Sequence, residues 1–157
     1  MKRTFLSLFL LFGTFISIAQ QIVSGKVVKV ADGDTITILT ADFTQIKVRL
    51  HGIDCPERNQ DFGNKAKQFT TVQCIGKVVI VKVTDTDRYG RSIGVVALPN
   101  GTTLNKELLK AGLAWHYKHY DQSKEYSDLE TLARNQKIGI WSIPNAIAPW
   151  DFRRASK

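Results

Sequence analysis

The pattern of apolar runs predicts an all-β/α+β domain: a five-stranded β-barrel accompanied by three helices. Five segments show the two-residue alternation of strands, with Gly, Asp, Asn or Pro at their ends. Three segments show helical spacing instead, one after the third strand and two after the fifth. The chain has 157 residues, enough for one hydrophobic core and not for two.

The first residues stand apart from that domain. Lys2 and Arg3 precede an apolar run from Phe5 to Ile18, and Ser17-Ile18-Ala19 ends in the small residues that a signal peptidase reads. The run falls short of the roughly 20 apolar residues that span a bilayer. Residues 1–19 are therefore expected to be an export signal cleaved after Ala19. The product would be secreted or periplasmic, with no stable membrane insertion after processing.

The domain proper is expected over residues 22–143. Val23, Val27, Val28 and Val30 form its first strand, Asp32-Gly33 turns the chain, and Thr35–Leu39 returns as the second. Asp34 shares the parity of Ile36 and Ile38, which sets its carboxylate at the rim of the core. The third strand, Gln45–His51, turns Ile46, Val48 and Leu50 inward and Arg49 to its other face. Gly52 and Pro56 then end it in a turn carrying Asp54 and Glu57. One guanidinium and two carboxylates thus share ten residues.

A helix over Phe62–Ile75 presents Phe62, Ala66, Phe69 and Val72 as an apolar stripe, and Gly76 ends it. Lys77–Val83 and Ser92–Leu98 are the fourth and fifth strands, joined through Asp87-Arg88-Tyr89-Gly90-Arg91. After the Pro99-Asn100-Gly101 turn come a short helix, Leu104–Ala111, and a longer one, Ser123–Lys137. The longer helix is expected to bury Tyr126, Leu129, Leu132 and Ala133. The tail, residues 144–157 with Trp150, Arg153 and Arg154, is given no element; disorder and docking against the barrel are both open. Five strands with helices after the third and fifth match an oligonucleotide/oligosaccharide-binding (OB) barrel, which binds ligands across one face and its loops.

Composition narrows the chemistry. The net charge of +8 becomes +6 once Lys2 and Arg3 leave with the export signal, a balance that attracts phosphate backbones and anionic surfaces alike. Two cysteines, Cys55 and Cys74, cannot form a four-cysteine zinc site, although a disulfide between them is possible after export. Asp32-Gly33-Asp34 is not an EF-hand, because Thr37 stands where that loop needs its turn glycine. His51, His116 and His119 offer no third zinc ligand at a fixed spacing, and His51 reads as a rim residue.

Three stretches together are specific: Asp32-Gly33-Asp34-Thr35, Arg49 five residues before Asp54-Cys55-Pro56-Glu57, and Asp87-Arg88-Tyr89-Gly90-Arg91. In this order, with Ile140-Trp141-Ser142 near the end, they resemble the staphylococcal nuclease (thermonuclease) family from Ser24 to Ser142. The resemblance implies an OB-fold barrel and a calcium-dependent nuclease acting on DNA and RNA, with single strands preferred. It implies calcium on Asp34, Asp54 and the Cys55 carbonyl, catalysis by Arg49, Glu57 and Arg91, and substrate binding by Arg88, Tyr89, Trp115 and Tyr117. A monomer is expected.

Three departures from that pattern stand out. Cys55 replaces a threonine, which leaves a main-chain ligand unchanged; Trp115 replaces a tyrosine, keeping a π face and losing a hydroxyl; and only Arg58–Asp61 separate Glu57 from the next helix. The competing class is a barrel of this fold that binds nucleic acid without cleaving it. Such domains lack several of the charged residues, whereas Asp34, Arg49, Asp54, Glu57 and Arg91 are all present here.

Overall fold

The computed structural model describes residues 21–156, so the export signal expected at 1–19 lies outside the described residues. In chain order the first elements are β1 (Ile22–Asp32), β2 (Thr35–Leu39), β3 (Gln45–Leu50), β4 (Ile53–Asp54) and α1 (Gly63–Cys74). They are followed by β5 (Val78–Thr86), β6 (Ser92–Ala97), α2 (Leu104–Lys110), β7 (Trp115–His116), α3 (Lys124–Asn135) and α4 (Pro149–Ala155). A single 3-10 turn, Gly139–Ser142, precedes α4.

Five strands close into a barrel in the order β1-β2-β3-β6-β5, the last pairing back onto β1. Neighbours are antiparallel except β3 and β6, which run parallel with Val48 opposite Ser92 and Arg49 opposite Ile93. Closure needs β1 to serve two partners. Its first half pairs with β5 and its second with β2, and register shifts after Val27 and Val30 bend it between them. Val27, Ile36, Ile38, Val48, Leu50, Val79, Val81 and Val96 are all buried and supply the core that the alternation foretold.

The three predicted helices are present, two of them with one residue of the predicted stripe turned to solvent. In α1 the buried positions are Gly63, Ala66, Thr70 and Cys74, while Val72, placed in the predicted stripe, is 68% exposed. Small residues are needed there because α1 crosses the Asp32-Gly33 turn at close range: the Thr70 hydroxyl donates to the Gly33 carbonyl at 2.6 Å. In α3 the buried set is Tyr126, Glu130 and Ala133, and Leu132 faces solvent. The stretch carrying Asp54 is a two-residue strand, β4, where a turn was expected. It pairs with β7, setting Asp54 opposite Trp115. A fourth helix, α4, occupies the tail and is docked. Among the described residues no helix is long and apolar enough to cross a membrane.

Candidate active site

Two turns bring the acidic residues together at the barrel rim. A Cβ on Gly33 would lie 2.7 Å from the Cβ of Cys55, so only glycine lets the Asp32-Gly33 turn sit flush against the segment after β4. That contact puts the Asp34 Oδ2 atom 2.6 Å from the Cys55 N–H, which donates to it. Asp34 and Asp54 are only 5% and 1% exposed.

Arg49, one strand over, forks across both. Its Nη1 lies 2.7 Å from Asp34 Oδ2, its Nη2 lies 2.6 Å from Asp54 Oδ1, and Nη1 also donates to the Ile53 carbonyl at 3.2 Å. Burial penalises the Arg49 charge, but Asp34 and Asp54 outweigh it and hold the guanidinium firmly protonated. Asp34 responds the other way. Burial pushes its carboxyl up to about 7 against the pull of Arg49, with Asp32 and Asp54 adding to the rise. Burial also raises the Cys55 thiol well above its usual range; Cys55 and Cys74 are both free and buried.

Glu57 follows in the loop before α1, 40% exposed. Its carboxylate Oε1 is 2.7 Å from Nη1 of Arg153, whose Nη2 is 2.8 Å from Asp54 Oδ2. Arg153 comes from α4, and the sequence reading assigned it nothing. The signal was present: Pro149 at the first helical position, Asp151 in the first turn and Arg153-Arg154 in the last are helix start and stop residues.

Arg88, Tyr89 and Arg91 lie in the β5–β6 turn. Arg91 Nε pairs with Asp87 Oδ2 at 2.6 Å, and Arg88 Nη2 donates to the Tyr89 hydroxyl at 2.7 Å. Both guanidinia lie over the exposed Tyr89 ring, at 4.8 and 5.6 Å. The parallel register sets Arg91 two positions before Ile93, the partner of Arg49, on the adjoining strand. Its hydrogen bonds stay within its own turn, so Arg49 joins Asp34 and Asp54 directly, Arg153 links Glu57 to Asp54, and Arg91 pairs with Asp87 in the β5–β6 turn.

Trp115 and Tyr117 belong to an aromatic cluster. Tyr117 stacks on Trp150 at 4.8 Å with an 11° tilt, and Trp115 meets Trp141 and Trp150 edge-on at 4.4 and 5.8 Å. A cavity of about 350 Å³ opens among Trp115, Tyr117, His119, Arg134 and Trp150. The histidines serve other ends: buried His116 bonds Asp121 at 2.9 Å and Ser127 at 3.0 Å, and His51 reaches the other Asp121 oxygen at 3.3 Å.

Among the described residues no three His, Cys, Asp or Glu side chains group to hold a metal. A cation at the rim would thus rest on two carboxylates, completed by main-chain oxygen and water. The donors present fit a hard cation in kind, all being oxygens; Asp34 Oδ1 accepts only a 3.3 Å bond from the Thr35 hydroxyl, whereas both Asp54 oxygens also accept from Arg49 or Arg153, so a cation there would share Asp54 with these guanidinia.

Barrel and rim define a class, an OB-type barrel bearing a buried carboxylate–guanidinium centre. The family model described as Staphylococcal nuclease homologue matches residues 47–143, and the chain belongs to that family of nucleases. It is 41% identical over 143 residues to a micrococcal nuclease of Shigella flexneri, covering 85% of this chain and 82% of that one. It is 38% identical to Protein ParB of Escherichia coli, with 84% and 80% covered. An uncharacterized endonuclease of Haemophilus influenzae is 37% identical over 151 residues, covering 96% of this chain and 84% of its own.

Proposed function

We propose that the protein is an exported, calcium-dependent, sugar-nonspecific endonuclease that hydrolyses DNA and RNA to 3′-phosphate ends. The observation that carries this reading is Arg49 forked between two buried carboxylates on the rim of an OB barrel, with Glu57 in the adjoining loop.

Asp34, Asp54 and the Cys55 carbonyl are the residues that would hold calcium. When bound, the cation supplies positive charge to the phosphate and to a coordinated water. Glu57 accepts the proton of the water that attacks phosphorus. The P–O bond to the 5′-oxygen breaks, and that oxygen takes a proton from solvent water, leaving a phosphate on the 3′-oxygen and a hydroxyl on the 5′-carbon. Arg49 and Arg91 take the equatorial oxygens, where charge builds, with planar forks that lysine cannot reproduce. Arg88 and Tyr89 hold the phosphate backbone, and Trp115 and Tyr117 give bases an aromatic surface. None of these groups reads a base edge, so sequence preference is weak. Single strands are favoured because stacking needs unpaired bases.

The test is release of acid-soluble nucleotide from heat-denatured DNA, with calcium or with excess chelator, for the protein and for Glu57→Gln. The expected result is calcium-dependent release that falls by about 100-fold or more in the variant. Release that ignores the chelator refutes the calcium role. Salt-sensitive binding without release makes the barrel a binding module.

A further inference from the structure

The match to the family model ends at residue 143, and α4 lies beyond it. That helix nonetheless reaches the centre of the site. We propose that Arg153 is a positioning residue of the active site: its guanidinium, delivered by α4, spans Asp54 and Glu57 and fixes the carboxylate that accepts the proton. This role rests on the reading of Glu57 as the base.

Geometry supports it first. Arg153 Nη1 donates to Glu57 Oε1 at 2.7 Å and to Asp54 Oδ1 at 3.3 Å, while Nη2 donates to Asp54 Oδ2 at 2.8 Å. A rigid planar fork held by two carboxylates sets the distance between them. Asp54 is held by its pairing in β4 and by the Arg49 fork, so the bridge ties Glu57 to that fixed point. Glu57 needs such a tie. It lies in a loop, its carboxylate is 40% exposed, and among the described residues Arg153 alone pairs with it.

A second tie joins the same two segments through the main chain. The Gln60 amide accepts from the Glu57 N–H at 3.1 Å and donates to the Ile147 carbonyl at 2.6 Å. Glu57 is therefore held to the tail by its backbone and by its side chain. The tail in turn is anchored independently of Arg153. Ala148 and Pro149 are buried, and Trp150 stacks on Tyr117 and meets Trp115, the strand partner of Asp54. Helix, aromatic cluster and acidic centre form one packed unit.

The experiment compares Arg153→Ala, Arg153→Lys and Arg154→Ala in the full chain, each with Glu57 or with Glu57→Gln, on heat-denatured DNA at saturating calcium. Arg153→Ala is expected to lower kcat about 10- to 100-fold with KM changed less than about twofold, the mark of a misplaced group. Arg153→Lys recovers part of the loss, because charge survives without the fork. Arg154, which is exposed and pairs with Asp151, leaves activity unchanged when replaced. With Glu57→Gln in place, Arg153→Ala has no further effect, since it acts through Glu57.

Hydrogen exchange without DNA or metal separates positioning from folding: amides 57–60 exchange faster in Arg153→Ala while those of β2 and β3 stay protected. Wild-type kcat in Arg153→Ala, or an equal loss with Glu57→Gln, overturns the positioning role. A rise in turnover overturns it too, and makes the guanidinium an obstruction. If Glu57→Gln is itself active, the base assignment falls and the role of Arg153 with it. Loss in Glu57→Gln alone refutes Arg153 and spares the base.

Discussion

Burial lifts the Asp34 carboxyl from its ordinary 3.8 to about 7 although Arg49 lies 2.7 Å away, because desolvation outweighs the guanidinium and the charges of Asp32 and Asp54 add to the rise. An acid raised in this way holds a proton in the folded chain that the unfolded chain has released. Stability from this group is therefore full below about pH 4 and is lost as pH rises through about 7. Without metal, Asp34→Asn should raise the melting temperature at pH 8 and change it little at pH 4. On the proposed calcium reading, the cation would have to displace the same proton. Its affinity, measured by calorimetric titration, should weaken by up to about tenfold per unit as pH falls from 7 to 5. An affinity indifferent to pH would remove Asp34 from the calcium ligands.

Short elements position the carboxylates, and one contact shows how tightly. A Cβ on Gly63, the first residue of α1, would lie 1.9 Å from the Glu57 carbonyl oxygen. Gly63→Ala should therefore destabilise the fold by about 1–3 kcal/mol in denaturant titrations and lower turnover by displacing Glu57. Unchanged stability and turnover would mean that the loop yields freely and is not held as described. Little of this was legible in the sequence. Apolar periodicity chose Val72 for the buried face of α1 because it detects bulk, whereas α1 is buried through the smallness of Gly63, Ala66 and Thr70. Strands of two residues, β4 and β7, carry no periodicity, so their pairing of Asp54 with Trp115 could not be read. The cap residues of α4 could have been read; what it docks against could not.

On the scale of the molecule the strands were readable, because a barrel core writes a two-residue alternation into every strand that lines it. The parallel β3–β6 closure was not, since it links residues more than forty positions apart through no local signal. The barrel and its excess positive charge also set how substrate is met. If Arg49, Arg88 and Arg91 neutralise about three phosphates, as proposed, single-strand affinity should scale with salt at a log–log slope of about −2. That is a loss of roughly 16-fold between 50 and 200 mM. Fluorescence polarisation with Glu57→Gln, which avoids cleavage, measures it; a flat response would refute backbone recognition.

Arg153 and Asp54 are 99 positions apart. A ribosome delivers Asp34, Arg49, Asp54 and Glu57 early, when β3 still lacks its β6 neighbour, and delivers Arg153 after every other element of the fold. A partly made chain thus carries the acidic residues without the arrangement that organises them. On the role proposed for Arg153, a chain halted before α4 would hold Glu57 less firmly than the full fold does.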